Sequence, residues 1–115
     1  MNHTDLVEAF LQRFHAKLGI WNVLYLDDRA KNYQTRIDLG LRPSQRTEYL
    51  KKLEVADYSQ GPLPELYFDS EMWVFGKFIN NHEVYIKITL GQRDNPVICI
   101  SFHVAEFPMN YPFKL

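Results

Sequence analysis

Two segments near the C-terminal end place polar residues at a spacing that could do chemistry. Val84-Tyr85-Ile86-Lys87-Ile88 and Ile98-Cys99-Ile100-Ser101-Phe102-His103 alternate β-branched apolar residues with polar or aromatic ones. Successive side chains along a strand point to opposite faces. Val84, Ile86 and Ile88 therefore form one face of the first segment, and Tyr85, Lys87 and Thr89 the other. In the second, Ile98, Ile100 and Phe102 are expected to point into a core, and Cys99, Ser101 and His103 away from it. Asn80-Asn81, between Met72–Ile79 and Glu83–Leu90, has the composition of a two-residue hairpin turn. That turn pairs Trp73 with Ile88, Phe75 with Ile86 and Gly76 with Tyr85. A second turn centred near Asp94 sets Tyr85 across from His103 and Lys87 across from Ser101. One sheet face then carries Tyr85, Lys87, Ser101 and His103 beside a groove left by Gly76, and a one-residue slip in either hairpin scatters them.

Such a set suits metal-free cleavage of RNA. A 2′-hydroxyl must lose a proton as it attacks phosphorus, the departing 5′-oxygen must gain one, and the extra charge on phosphorus needs a nearby cation. An imidazole titrates near neutrality, so His103 is the acid or the base. Lys87 would stabilise the phosphorane and Tyr85 would donate a hydrogen bond or stack on the substrate. His3, His15 and His82 lack partners at ligand spacing, so neither a metal nor a cofactor is expected. Asp27-Asp28-Arg29 reads as a helix cap with an ion pair, or as a group that holds a cation or orients a substrate. Cys99, in an apolar strand, reads as inert packing.

The elements that must position these residues come in two blocks. Thr4 can cap a first helix in which Leu6, Val7, Phe10, Leu11, Phe14 and Leu18 recur at helical spacing, with Gly19 as its stop. Trp21–Leu26 is a strand or a second buried turn. A second helix is predicted from about Arg29 to Leu39, closed by Gly40, and a third from Pro43-Ser44 to about Val55, with Tyr49, Leu50 and Leu53 on one side. Gly61, Pro62 and Pro64 argue against a regular element around residues 57–64. Three strands follow as an antiparallel meander. The tail, Phe107-Pro108-Met109-Asn110-Tyr111-Pro112-Phe113, cannot be a helix and is expected to lie as an extended strap across the core. The fold class is α+β: a helical half over about 1–56, and a three- to four-stranded antiparallel sheet with the tail over about 66–115, the helices packed on one sheet face.

A chain of 115 residues, 46% hydrophobic and 15% aromatic, makes one domain with one core and excludes wholesale disorder. A single cysteine excludes an internal disulfide. No apolar run nears the roughly 20 residues of a membrane span, and no signal peptide is visible, which together fit a cytoplasmic protein. The net charge of -1 hides an asymmetry. Residues 29–52 hold seven basic side chains, Arg29, Arg36 and Arg46 among them, and two acidic ones, for a formal charge of +5. That stretch reads as a solvated helix pair or as a polyanion-facing surface in which Arg29 and Arg36 help to hold RNA.

Asp57-Tyr58-Ser59-x-Gly61-Pro62, Met72-Trp73-Val74-Phe75-Gly76-Lys77, Glu83-Val84-Tyr85-Ile86-Lys87-Ile88 and Ile98-Cys99-Ile100-Ser101-Phe102-His103-x-Ala105-Glu106 together resemble the toxins of the motility quorum-sensing regulator (MqsR) family, within the RelE-like ribonuclease fold. The resemblance covers about residues 45–106. It implies a toxin of a type II toxin–antitoxin system, an endoribonuclease that cleaves mRNA without metal. Its implied partner is a co-encoded antitoxin with a DNA-binding helix-turn-helix, and the toxin itself would be a monomer or homodimer. The family's strand tyrosine falls on Tyr85, and its basic residue near the end of the last strand on His103. Two positions depart from the pattern. Ser59 stands where the family uses a lysine, and Val74-Phe75 follow Trp73 where it uses a glutamine. Lys77 or Lys87 is then left to bind phosphate, beside Gly76 and Ser101.

Overall fold

A computed structural model describes residues 2–26 and 30–115; of residues 30–33, 36 and 43 it describes the backbone alone. The helix cap expected at Asp27-Asp28 lies outside the described residues, as do Arg29 and the side chain of Arg36.

The first helix, α1, runs His3–Trp21. Its cap is Asn2, not Thr4: the Asn2 side chain accepts from the Asp5 backbone N–H at 2.9 Å. The helix passes through Gly19 and stops at Asn22, which takes the left-handed φ of 69° and donates its N–H to Leu18 at 3.0 Å. Asparagine takes a positive φ more often than most residues other than glycine, and an interior glycine costs only about 1 kcal/mol. Burial outweighs that cost. Val7, Phe10, Leu11, Phe14 and Leu18 are all buried, each contributing about 1.5–3 kcal/mol.

After α1 come β1 (Val23–Tyr25), α2 (Ala30–Leu39), α3 (Pro43–Lys51), a 3-10 turn (Val55–Asp57), β2 (Tyr58–Gln60), β3 (Leu66–Tyr67), β4 (Ser70–Ile79), β5 (His82–Thr89) and β6 (Val97–Val104). The architecture is α+β, with the helices on one side of the sheet. The sheet is larger than the expected meander. Its order is β1-β6-β5-β4-β2, with β3 paired to β4, and β1 runs parallel to β6. Trp21–Leu26 thus resolves as a helix end followed by an edge strand. The Gly/Pro-rich stretch also carries pairing that was not expected: Tyr58 and Gln60 add to the long edge of β4.

Asn80 and Asn81 take φ values of 49° and 67°, the two left-handed positions of a tight hairpin turn. The β4–β5 register follows: Trp73↔Ile88, Phe75↔Ile86 and Gly76↔Tyr85. Between β5 and β6, Tyr85↔His103 and Lys87↔Ser101 form as the turn near Asp94 requires, and then the register shifts so that Ile88 faces Cys99. Ile100 is the extra residue of this bulge. The bulge corrects the expected facing of β6. Cys99 joins Phe102, Phe75 and Ile86 in the main core under the helices, while Ile98 and Ile100 join Met72 in a small cluster with Leu26, Leu63 and Tyr67. In the main core Phe10 of α1 stacks on Trp73, with ring centroids 4.8 Å apart.

The tail is a strap, as expected. Ala105 continues the ladder by donating to the Glu83 carbonyl at 2.8 Å, and the Met109 N–H donates to the Glu83 carboxylate at 3.1 Å. Farther on, Phe113 stacks on Tyr58 of β2 at 5.3 Å.

Candidate functional site

The sheet face away from the helices is open where β5 and β6 meet. Tyr85 and His103 sit there as cross-strand neighbours, their rings stacked with centroids 5.1 Å apart and planes 14° from parallel. One pair further along, Lys87 lies across from Ser101, which is buried. These four side chains line a cleft of about 460 Å3, closed on one side by the strap from Ala105 to Asn110 and reached by Ser59 and Gln60 of β2.

The ring of His103 is oriented from both sides. Tyr85 covers one face, and Nδ1 donates to the Val104 carbonyl at 3.0 Å. A carbonyl can only accept, so Nδ1 carries a proton, and the neutral ring keeps its lone pair on Nε2. A second hollow, of about 290 Å3, lies between β6 and α2 and is lined by Gln34, Thr35, Asp38, His103, Val104 and Glu106.

Lys77 is not part of this face. Alternation along β4 puts it with Trp73 and Phe75, opposite the buried Val84, and its Nζ meets Asp57 Oδ2 at 2.8 Å. Lys77, expected to bind phosphate, thus lies on the opposite sheet face from Tyr85 and Lys87. Gly76 does lie beside Tyr85, but it opens no free groove. A Cβ at Gly76 would overlap the hydroxyl of Tyr111, which the strap lays over it. That hydroxyl donates to Glu83 Oε2 at 2.7 Å. Burial, that hydrogen bond and the charges of Glu83 and Asp57 push the Tyr111 phenol well above its ordinary range, so it stays a protonated donor.

The basic stretch also needs correction. Arg46 is buried, its guanidinium 3.8 Å from the centroid of the Tyr25 ring, so it offers no charge to a surface ligand. Arg42, Lys51 and Lys52 are exposed. Arg29 lies outside the described residues, and nothing of the Arg36 side chain is described. His3, His15 and His82 are engaged with the Tyr58 hydroxyl and with backbone oxygens of Gly61, Leu50 and Asn80. Among the described residues no three His, Cys, Asp or Glu side chains are grouped to hold a metal ion, and no helix is long and apolar enough to cross a membrane.

Two contributors were absent from the sequence reading. The strap supplies Glu106, Phe107 and Asn110 to the cleft wall, and β2 supplies Gln60. Their proximity in space depends on the course of the tail, which local patterning does not encode. A carboxylate three residues after His103 was the one available clue. Comparison of the chain with family models, with curated proteins and with solved structures gives no match.

Proposed function

We propose that this chain is a metal-independent endoribonuclease, the toxin of a type II toxin–antitoxin pair, which cleaves mRNA by 2′-hydroxyl attack in the cleft at the β5–β6 junction. The observation that carries the reading is the stacked Tyr85–His103 pair with Lys87 next along the same strand, all lining one cleft. His103 moves a proton through Nε2, Lys87 offsets the charge that builds on phosphorus, and Tyr85 holds the imidazole in place and presents its phenol to the substrate. The proposed protein partner is a helix-turn-helix antitoxin, which follows from the resemblance to the motility quorum-sensing regulator toxins.

Expression in bacteria, with growth and mRNA integrity followed together, tests the reading. Wild type should arrest growth and fragment mRNA, and His103→Ala should do neither. Arrest that survives His103→Ala and Tyr85→Phe alike would refute the site. A second reading, a non-enzymatic protein-binding module, is favoured by Phe78 and Phe107, which are 62% and 78% exposed. It is the reading left standing if wild type causes no arrest and no RNA cleavage.

A further inference from the structure

We propose that Glu106 is the second proton-transfer group of the cleft: its carboxylate takes the 2′-hydroxyl proton while His103 gives one to the departing 5′-oxygen. The proposal rests on the ribonuclease reading and assigns the half of the reaction that His103 leaves open.

Cleavage by a neighbouring hydroxyl forms the O2′–P bond and breaks the P–O5′ bond. One proton leaves O2′ and another arrives at O5′, so an acid and a base act on opposite sides of the phosphorus. Of the described side chains lining the cleft, tyrosine and lysine ordinarily titrate at about pH 10, and only imidazole and carboxylate do so below neutrality. His103 and Glu106 are those two groups.

Their placement fits the division of labour. The cleft and the neighbouring hollow share two lining residues, His103 and Glu106, so both residues border both cavities. Glu106 is exposed and lines the cleft in which the substrate would lie. Its backbone is fixed on both sides by one residue, since Glu83 accepts from the Ala105 N–H through its carbonyl and from the Met109 N–H through its side chain. His103 is held by Tyr85 and by the Val104 carbonyl, and its assigned role is the acid, acting through Nε2. Tyr85 and Lys87 from β5 and Asp38 from α2 are the other titratable described residues around the pair.

In one turnover the Glu106 carboxylate becomes a carboxylic acid, the His103 imidazolium becomes neutral, and the products are a 2′,3′-cyclic phosphate and a 5′-hydroxyl. Proton exchange with water restores both groups. The rate then requires an ionised carboxylate and a protonated imidazole together, which gives a bell-shaped profile.

The test is the pH–rate profile of the full chain on a short single-stranded oligoribonucleotide, for wild type, Glu106→Gln and Glu106→Asp, with thermal melts alongside. Glu106→Gln is expected to lose about 10²-fold in kcat with little change in KM, to lose the acidic limb of the profile, and to melt with wild type. Glu106→Asp should keep the acidic limb at a reduced plateau. If Glu106→Gln cleaves within about threefold of wild type with its acidic limb intact, the proposal is overturned and the ribonuclease reading stands. If wild type leaves the oligoribonucleotide whole, both fall.

Discussion

The imidazole of His103 lies flat against the phenol of Tyr85, 5.1 Å from centroid to centroid, because the two residues are direct partners across β5 and β6. Neither ring depends on a loop for its position. Each projects from the middle or end of a long strand whose opposite face is anchored in the core by Val84, Ile86 and Phe102. A rigid support of this kind is what positions catalytic groups to the tolerance that proton transfer needs.

The seat of Tyr111 on Gly76 gives the first prediction. Gly76→Val forces the phenol out of its place against Glu83. The cost is about 1–3 kcal/mol in denaturant unfolding, typical of overpacking. In a Tyr111→Ala background the same change should cost clearly less, because the obstructing ring is gone. Additive losses in the double-mutant cycle would show that the glycine is required for some other reason.

Alkaline pH should separate Tyr111 from its phenylalanine variant. The phenol is held above its ordinary value in the folded chain by burial and by Glu83. A raised folded pKa gives stability that is complete below the unfolded value of about 10 and is lost as pH climbs from there through the folded value. Tyr58, raised by burial, adds to the same window. Tyr111→Phe should be less stable than wild type by about 1.5 kcal/mol at pH 7, through the lost hydrogen bond, and the gap should narrow above about pH 10. Unfolding midpoints measured from pH 7 to 11 check this; a constant gap would contradict it.

Lys77 and Lys87 are expected to behave differently although both are strand lysines three hairpin pairs apart. Lys77→Ala breaks the pair with Asp57 on the helix side, where both side chains are about one-fifth exposed. It should cost about 1 kcal/mol of stability and leave RNA cleavage near wild type. Lys87→Ala should leave the melt nearly unchanged and lower cleavage by about 10²-fold. Comparing melts and rates for the two variants decides the matter, and a reversed pattern would move the phosphate site to the other face.

Arg46 should act as a core residue. Arg46→Ala removes a buried side chain stacked on Tyr25 and is expected to cost about 2 kcal/mol or more. Neutralising the exposed Lys51 and Lys52 should leave stability within about 0.5 kcal/mol. If those lysines meet RNA phosphates, the salt slope of binding falls by about one for each. Circular dichroism melts and filter binding over a salt series measure both effects.

How much of this was legible in the sequence depends on the range of the contact. The β4–β5 register was readable because Asn80-Asn81 is a local device whose left-handed pair admits one alignment of Trp73 and Phe75 with Ile88 and Ile86. The bulge at Ile100 left no trace, since Val97 to Ile100 are all apolar and either facing satisfies the pattern. The parallel pairing of β1, whose segment reads as a strand or a turn, and the short β2 were not legible for a related reason. Three-residue strands on a sheet edge are made by their partner, not by their own propensity. The burial of Arg46 was legible too, because it precedes Tyr49, Leu50 and Leu53 by three, four and seven residues, the spacing of one helix face over Tyr49 and Leu50; a count of charges alone hides it. Of the candidate site, the Tyr85, Lys87, Ser101 and His103 cluster followed from alternation and turns. The contribution of the strap, and the filling of the Gly76 groove by Tyr111, depend on contacts between residues distant in sequence.

The most direct test of the central claim is the end group left by purified protein on a single-stranded oligoribonucleotide, beside an oligonucleotide carrying one 2′-deoxy residue at the mapped cleavage position. A cyclic phosphate on the first, no cut at the deoxy position in the second, and loss of cleavage in His103→Ala with an unchanged melt are the results expected. Cleavage that ignores the missing 2′-hydroxyl, or that persists at the wild-type rate without the His103 imidazole, would contradict it.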